Sequence, residues 1–273
     1  MKDYQKRFSE FLADSGALFF DEGLILKDRR PTPYFVNFGK INTGKLINEL
    51  GSRYADMLVE KKMVEPVDII FGPSYKGSAI ALATAFALWI NHGIDKMFEY
   101  DRKEEKTHGE ASKLGNLLVN NTLFNNARLY MTDDVVTSAA TKYEGVEKLN
   151  EAAAARNFCI HIVGTGIAVD REQVGPVYDT KGRILLGERG EDSIEKFTKD
   201  TGIPIHSIVG IRDAIHHLHG NKYPLSINKK KQPMDAETFD NFQKYMETYG
   251  VKRPDTASEK VVNIPLKNYK VER

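Results

Sequence analysis

Apolar positions along the chain change period in a regular way. Over residues 43–62, Leu46, Ile47, Leu50, Tyr54, Met57 and Leu58 fall on one face at helical spacing, and Thr43 is placed to cap the first turn. Pro66 closes that segment. Residues 67–71 then form a short apolar run that ends in Gly72-Pro73, the pattern of a buried strand. The Ala-rich stretch 78–91 predicts a buried helix, and 96–100 predicts the next strand. After a charged, glycine-punctuated loop over 101–115, residues 128–132 predict a strand running straight into Asp133-Asp134. A helix over 139–156, a strand over 158–169, a helix over 192–200, a strand over 205–209 and a helix over 211–219 follow. This alternation predicts an α/β fold, a mostly parallel sheet with helices on both faces. Residues 177–186, centred on Asp179-Thr180-Lys181-Gly182, break the rhythm and predict a β-hairpin. Beyond Gly220 the chain turns polar, with one helix predicted over 235–249.

The composition narrows the class. With 273 residues, 41% of them apolar, the chain has enough apolar material for a real core. A net charge of +1 gives no global field toward nucleic acid or anionic lipid, so neither is expected as a partner. Residues 221–273 carry eleven Lys/Arg against seven Asp/Glu, including Lys229-Lys230-Lys231, and read as a solvated surface. A single cysteine, Cys159, excludes an internal disulfide and a cysteine-built zinc site, and points to a reducing compartment. The apolar stretch 79–90 falls short of the roughly 20 residues a spanning helix needs, and no signal peptide is expected. A cytoplasmic protein without membrane contact follows.

Ligands of parallel α/β sheets bind beyond the carboxyl ends of the strands. Three such ends stand out. Phe71-Gly72-Pro73-Ser74-Tyr75-Lys76-Gly77 is either a plain strand-to-helix turn with an exposed lysine or an anion site built from helix N–H groups and Lys76. In Thr132-Asp133-Asp134-Val135-Val136-Thr137-Ser138-Ala139-Ala140-Thr141, two acids suit a diol or a magnesium ion, and the hydroxyls behind them suit a phosphate. An acidic cap explains one acid but not both. The loop Arg102-Lys103-Glu104-Glu105-Lys106-Thr107-His108-Gly109-Glu110 is a solvated loop or one that closes over a polyphosphate.

Taken with Tyr4-Gln5, Phe8, Leu26-Lys27, Pro33-Tyr34-Phe35, Asn42-Thr43-Gly44 and Asp170-Arg171, these segments resemble the orotate phosphoribosyltransferases of bacterial type, in order, over about residues 4–251. The double acid is shared by many phosphoribosyltransferases, whereas the loop and the Pro-Tyr-Phe segment are specific to the orotate branch. The resemblance implies the type I phosphoribosyltransferase fold, with an N-terminal hood over residues 1–45, a core over 46–220 holding an inserted hairpin at about 172–190, and a C-terminal helix and tail over 221–273. It implies transfer of ribose 5-phosphate from phosphoribosyl pyrophosphate (PRPP) to N1 of orotate, giving orotidine 5′-monophosphate in pyrimidine synthesis, with magnesium held mainly through PRPP.

By the same likeness, Lys106, His108, Asp133 and Asp134 carry the catalysis, the two acids on the ribose hydroxyls. Val135, Val136, Thr137, Ser138, Ala139, Ala140 and Thr141 cradle the 5-phosphate, and Lys27, Tyr75, Lys76, Arg102 and Lys103 complete the PRPP site. Lys27, Phe35, Val36, Thr137 and Arg171 surround orotate, Arg171 facing its carboxylate. The loop 102–110 is expected to complete the neighbouring site of a homodimer. Ala139-Ala140 departs from the family's glycine and threonine: a Cβ at 139 either crowds the phosphate or penalises a positive φ, and Ala140 removes a hydroxyl. A non-catalytic binder of PRPP or a nucleotide is the alternative.

Overall fold

The computed structural model describes residues 1–102, 117–136 and 139–252. The chain opens with helix α1 (Asp3–Asp14), strands β1 (Leu18–Phe20) and β2 (Tyr34–Val36), a 3-10 turn at Phe38–Lys40, and helix α2 (Gly44–Glu60). Then come β3 (Ile69–Gly72), α3 (Lys76–His92), β4 (Met97–Tyr100), β5 (Ala127–Val135), α4 (Ala140–Ala154) and β6 (Ile160–Asp170). The chain continues through α5 (Ser193–Thr201), β7 (Ile205–Gly210), α6 (Ile211–Gly220), β8 (Leu225–Ile227), β9 (Lys230–Gln232) and α7 (Ala236–Tyr249).

Strands β4-β3-β5-β6-β7 form one sheet in that order, every neighbouring pair parallel. Side chains alternate across its two faces as strand geometry requires. Ile69, Phe71, Leu129 and Met131 pack with Leu149, Ala152 and Ala153 of α4. Ile70 and Tyr130 turn the other way, onto Ala55 and Leu58 of α2 and Ala81 and Leu88 of α3. Each fully buried Leu, Ile, Phe or Met among them contributes about 1.5–3 kcal/mol. Both faces of the sheet are therefore covered, as the alternation of periods predicts. Thr43 caps α2, its hydroxyl accepting from the Leu46 amide at 3.3 Å, and Asp192 and Asp235 do the same for α5 and α7.

Besides the short strands β1, β2, β8 and β9, which the apolar pattern does not predict, the structure departs from expectation at three places. Strand β5 is nine residues long and takes both acids into the ladder, because Asp133 and Val135 pair with Ile167 and Val169 of β6. Helix α1 has no counterpart in the expected elements; Phe8, Phe11 and Leu12 lie at i, i+3, i+4 and are buried. The helix expected to be buried, α3, exposes Leu82, Phe86, Trp89 and Ile90 by 48% to 61%. Its opposite side lies on the sheet and α2, and no described residue covers this one. Residues 177–186 form the expected hairpin as a short one: the antiparallel Tyr178–Ile184 bridge is flanked by backbone bonds from the Leu185 amide to the Val177 carbonyl and from the Asp179 amide to the Arg183 carbonyl, and the Asp179 carboxylate accepts the Lys181 and Arg183 amides in the turn.

A second sheet, β2-β1-β8-β9, joins the N-terminal segment to the C-terminal one. Its β8–β9 connection is Asn228-Lys229, both with positive φ, as a tight two-residue hairpin demands. Lys230 and Lys231 occupy the solvated edge strand, where lysine discourages further pairing.

Candidate active site

Three parallel strands, β3, β5 and β6, deliver their carboxyl ends to one edge of the sheet, with Gly72, Asp133-Asp134 and Asp170-Arg171 at the exits. The turn after β3 is tight. A Cβ on Gly72 would stand 1.9 Å from the Gly77 carbonyl oxygen, and one on Gly77 would stand 2.9 Å from that of Thr132. Only glycine lets the helix start this close to the strands. Asp101, at the end of β4, holds the turn from below: its carboxylate accepts the Ser74 amide and its carbonyl accepts the Ser74 hydroxyl. The same carboxylate binds the Lys148 ammonium of α4 at 2.5 Å. Asp101 thus fixes the turn while Tyr75 stays exposed at its tip.

Strand alternation sends the two neighbouring acids to opposite faces. Asp134 shares its face with Tyr130 and meets Lys76, whose Nζ donates to Oδ2 at 2.9 Å. Asp133 shares the face of Leu129 and Met131 and meets α4. There Lys142 Nζ donates to its Oδ2 at 2.5 Å and to the Val135 carbonyl at 2.6 Å, and the Thr141 hydroxyl donates to Oδ2 at 3.3 Å. The Asp134 amide donates to Asp133 Oδ1, and the Tyr54 hydroxyl donates to the Asp133 carbonyl. Burial, with both carboxylates nearby, pushes that hydroxyl well above the usual tyrosine range.

The turn into α4 carries the departure noted in the sequence. Ala139 has φ +58°, left-handed, and its carbonyl accepts the amides of Lys142 and Tyr143. Its methyl is buried with Val136, Ile167, Phe197 and Ile203. Of the two expected consequences, the strained φ is therefore the one the structure displays, the Cβ being turned into the core. Ala140 and Thr141 begin the helix, while Thr137 and Ser138 lie outside the described residues, as do Lys103, Lys106 and His108.

On the other side of the site, Arg171 follows β6 and stacks its guanidinium over Tyr34, Cζ 5.7 Å from the ring centroid. Its Nε and Nη2 are buried and have no hydrogen-bond partner among the described residues. Those two atoms form the edge that binds a carboxylate in bidentate fashion. Tyr34 accepts from Gln173 Nε2 at 2.6 Å, and burial raises its hydroxyl above the ordinary range. Phe35 and Val36 pair with Phe19 and Leu18, so β2 lies beside Arg171 through Tyr34. Lys27 is exposed on the loop before β2. Arg102 is tied to the 117–118 backbone, its amide donating to the Leu117 carbonyl and its Nε to that of Leu118.

Three contributors lie beyond the expected set: Asp101, Tyr54 and Lys142. Only Lys142 leaves a mark in the sequence, because 142, 145, 149, 152 and 153 fall on one helix face and all are buried. Among the described residues, no group of three His, Cys, Asp or Glu could hold a metal ion. No helix among them is long and apolar enough to cross a membrane.

The chain is 36% identical to the orotate phosphoribosyltransferase of Photobacterium profundum over 218 residues, 80% of this chain and 90% of that one. It is 34% identical to that of Hamiltonella defensa over 253 residues, 93% of this chain and 99% of the relative. The chain belongs to the orotate phosphoribosyltransferase family. In fold it matches the crystal structure of the Francisella tularensis orotate phosphoribosyltransferase with a TM-score of 0.68 and 26% identity, covering 90% of this chain and all of the other. No family model matches the sequence. Membership makes the chain a pentosyltransferase and gives a chemical reading to the acids, Lys76 and Arg171 at adjoining strand ends.

Proposed function

We propose that the chain transfers the 5-phosphoribosyl group of PRPP to N1 of orotate, releasing pyrophosphate, in the reducing cytoplasm and as a homodimer. The observation that carries the orotate assignment is Arg171. Its unpaired Nε–Nη2 edge, held against Tyr34 beside β2, suits a planar carboxylate, and leaving two buried donors unpaired costs free energy that such a ligand recovers.

The rest of the site supports the transfer. Asp134 accepts from a ribose hydroxyl once Lys76, an exposed side chain on a short tether, moves to the pyrophosphate. The amides opening α4 face the 5-phosphate, and the Thr141 hydroxyl, which donates to Asp133 Oδ2 at 3.3 Å, turns to it on binding. Breaking the C1–O bond builds positive charge on the ribose and negative charge on the leaving pyrophosphate, and Lys76 stabilises the latter. Lys103, Lys106 and His108 join it in this reading on the strength of the resemblance. The donor set fits magnesium as a companion of the pyrophosphate rather than as an ion in a protein cage, since Asp133 is taken by Lys142 and Asp134 alone offers an oxygen with an exposed partner. Bound that way, the ion neutralises the leaving group.

The apolar stripe of Leu82, Phe86, Trp89 and Ile90 on α3 supports the homodimer, because a helix apolar on both sides needs cover on both. Purified protein mixed with orotate, PRPP and magnesium is expected to consume the orotate absorbance. No loss of orotate together with retained PRPP binding would instead favour the non-catalytic binder.

A further inference from the structure

Among the described residues of the site, Lys142 is the most deeply buried cation, with 2% of its side chain exposed, and the proposed transfer does not use it. A buried ammonium costs several kcal/mol unless it is paired and its hydrogens are satisfied. Here it binds Asp133 Oδ2 and the Val135 carbonyl, and it lies 3.4 Å from the Thr141 hydroxyl. These partners belong to the end of β5 and the start of α4, the two sides of the turn assigned to the 5-phosphate. The remaining oxygen of Asp133 accepts the Asp134 amide at 3.0 Å, and Asp134 is held in the same pattern, its Oδ1 accepting the Val135 amide at 2.8 Å. The two acids differ in their lysines. Lys142, on Asp133, is 2% exposed, whereas Lys76, on Asp134 Oδ2, has 56% of its side chain in solvent and can leave.

We propose that Lys142 is a positioning residue for PRPP: it locks Asp133 and the Val135 carbonyl into one arrangement, ties the end of β5 to the start of α4, and leaves Asp134 as the acid that meets the ribose diol. The acid pair then divides its work. Asp133 is a strut held by Lys142, and Asp134 is the reader of the substrate. This assignment rests on the orotate phosphoribosyltransferase reading only for the identity of PRPP; the lock itself is made by the chain's own residues.

Removing the ammonium alone strands a buried carboxylate, so the informative variant removes both charges. In Lys142→Met/Asp133→Asn the fold is expected to survive with a melting temperature near wild type, while the dissociation constant for PRPP, measured by calorimetry without orotate, rises by about tenfold or more. Lys142→Arg, which keeps the charge, is expected to stay within about threefold of wild type. A purely structural role predicts otherwise: affinity would recover together with the melting temperature in the double variant. Affinity within about threefold of wild type in the double variant overturns the proposal, as does a wild-type protein that does not bind PRPP. A measurement on the wild type stands independent of variant folding. With 15N-labelled lysine, the Lys142 ammonium is expected as a signal protected from solvent exchange that shifts when PRPP is added. An exchange-averaged signal, or one indifferent to PRPP, refutes the lock. Orotate turnover is read in parallel, so that binding without turnover sinks the enzymatic reading while leaving the lock standing.

Discussion

Asp101 reaches Ser74 with one carboxylate oxygen and Lys148 with the other, so a single buried acid ties the turn after β3 to helix α4. Asp101→Ala removes the acceptor and leaves the Lys148 ammonium and the Ser74 amide without it. The expected loss is about 3–5 kcal/mol of stability, the usual penalty for breaking a buried ion pair by removing one partner. Asp101→Asn keeps an acceptor for Ser74 and is expected to fold better while raising KM for PRPP, because the turn carrying Lys76 is less firmly held. Urea melts and initial rates check both; equal KM in Asp101→Asn and wild type would show that the turn is rigid without the carboxylate.

Arg171 is expected to act on orotate alone. Arg171→Ala should raise KM for orotate by about a hundredfold or more, the worth of a charge-assisted bidentate pair, and leave KM for PRPP within about threefold. Arg171→Lys is expected to recover little, since an ammonium cannot offer two parallel donors to a planar carboxylate. A parallel loss of affinity for both substrates would place Arg171 in scaffolding rather than recognition.

For Ala139 two small terms oppose one another. Glycine relieves a left-handed residue of about 1–2 kcal/mol. It also removes a buried methyl worth about 0.8 kcal/mol and adds backbone entropy to the unfolded chain. Ala139→Gly is therefore expected to change stability by no more than about 1 kcal/mol and to leave KM for PRPP unaltered, because the methyl packs on Ile167 and Phe197. A fall in KM would place the Cβ in the phosphate's way after all.

The sheet and its covering helices were legible because burial on both faces imposes long apolar runs, and those runs are in the sequence whatever the tertiary detail. Strand ends were not. Whether Asp133-Asp134 follow β5 or belong to it depends on how far β6 runs alongside, and no local pattern encodes that. The same ladder decides that the two acids face opposite ways, so a pair that looks like one chemical unit in sequence is two in space. Strands β8 and β9 escaped notice because three residues carry no measurable period. Arg171, by contrast, was legible only through resemblance; nothing in its neighbourhood marks it until Tyr34 is brought beneath it from 137 positions away.

Tyr143 and Asp200 join α4 to α5, the tyrosine hydroxyl donating to Oδ2 at 2.8 Å while its ring meets Phe197 edge-on. Desolvation, together with this bond, pushes the hydroxyl up to about 12, and the bond holds the carboxyl below its ordinary range. The signs follow from linkage. Asp200, depressed in the fold, contributes stability above the ordinary carboxylate value that is lost as pH falls through its folded value. Tyr143, raised in the fold, contributes stability below about pH 10 that is lost as pH rises toward 12. Tyr143→Phe is thus expected to be less stable than wild type across the neutral range, with the gap closing at both extremes. A gap independent of pH would mean that ring packing alone, and not the hydrogen bond, joins the helices.

The stripe on α3 permits a test of assembly and of shared sites together. Phe86→Glu or Trp89→Glu places a charge on the exposed apolar face, and is expected to leave the fold intact while shifting the protein to monomer in sedimentation. Activity should fall with dimer content if the loop over 102–110 serves the neighbour's site. Mixing two inactive proteins decides the matter more sharply. In a dimer of Lys106→Ala with Asp134→Asn, one site joins an intact Asp134 to an intact Lys106 only when the loop acts across the interface. Random exchange makes half the dimers mixed, each with one good site of two, so about a quarter of wild-type activity is expected to return. If the loop acts within its own subunit, every site in the mixture lacks one residue and no activity returns. The mixed sample therefore separates a dimer that merely buries α3 from one whose subunits complete each other.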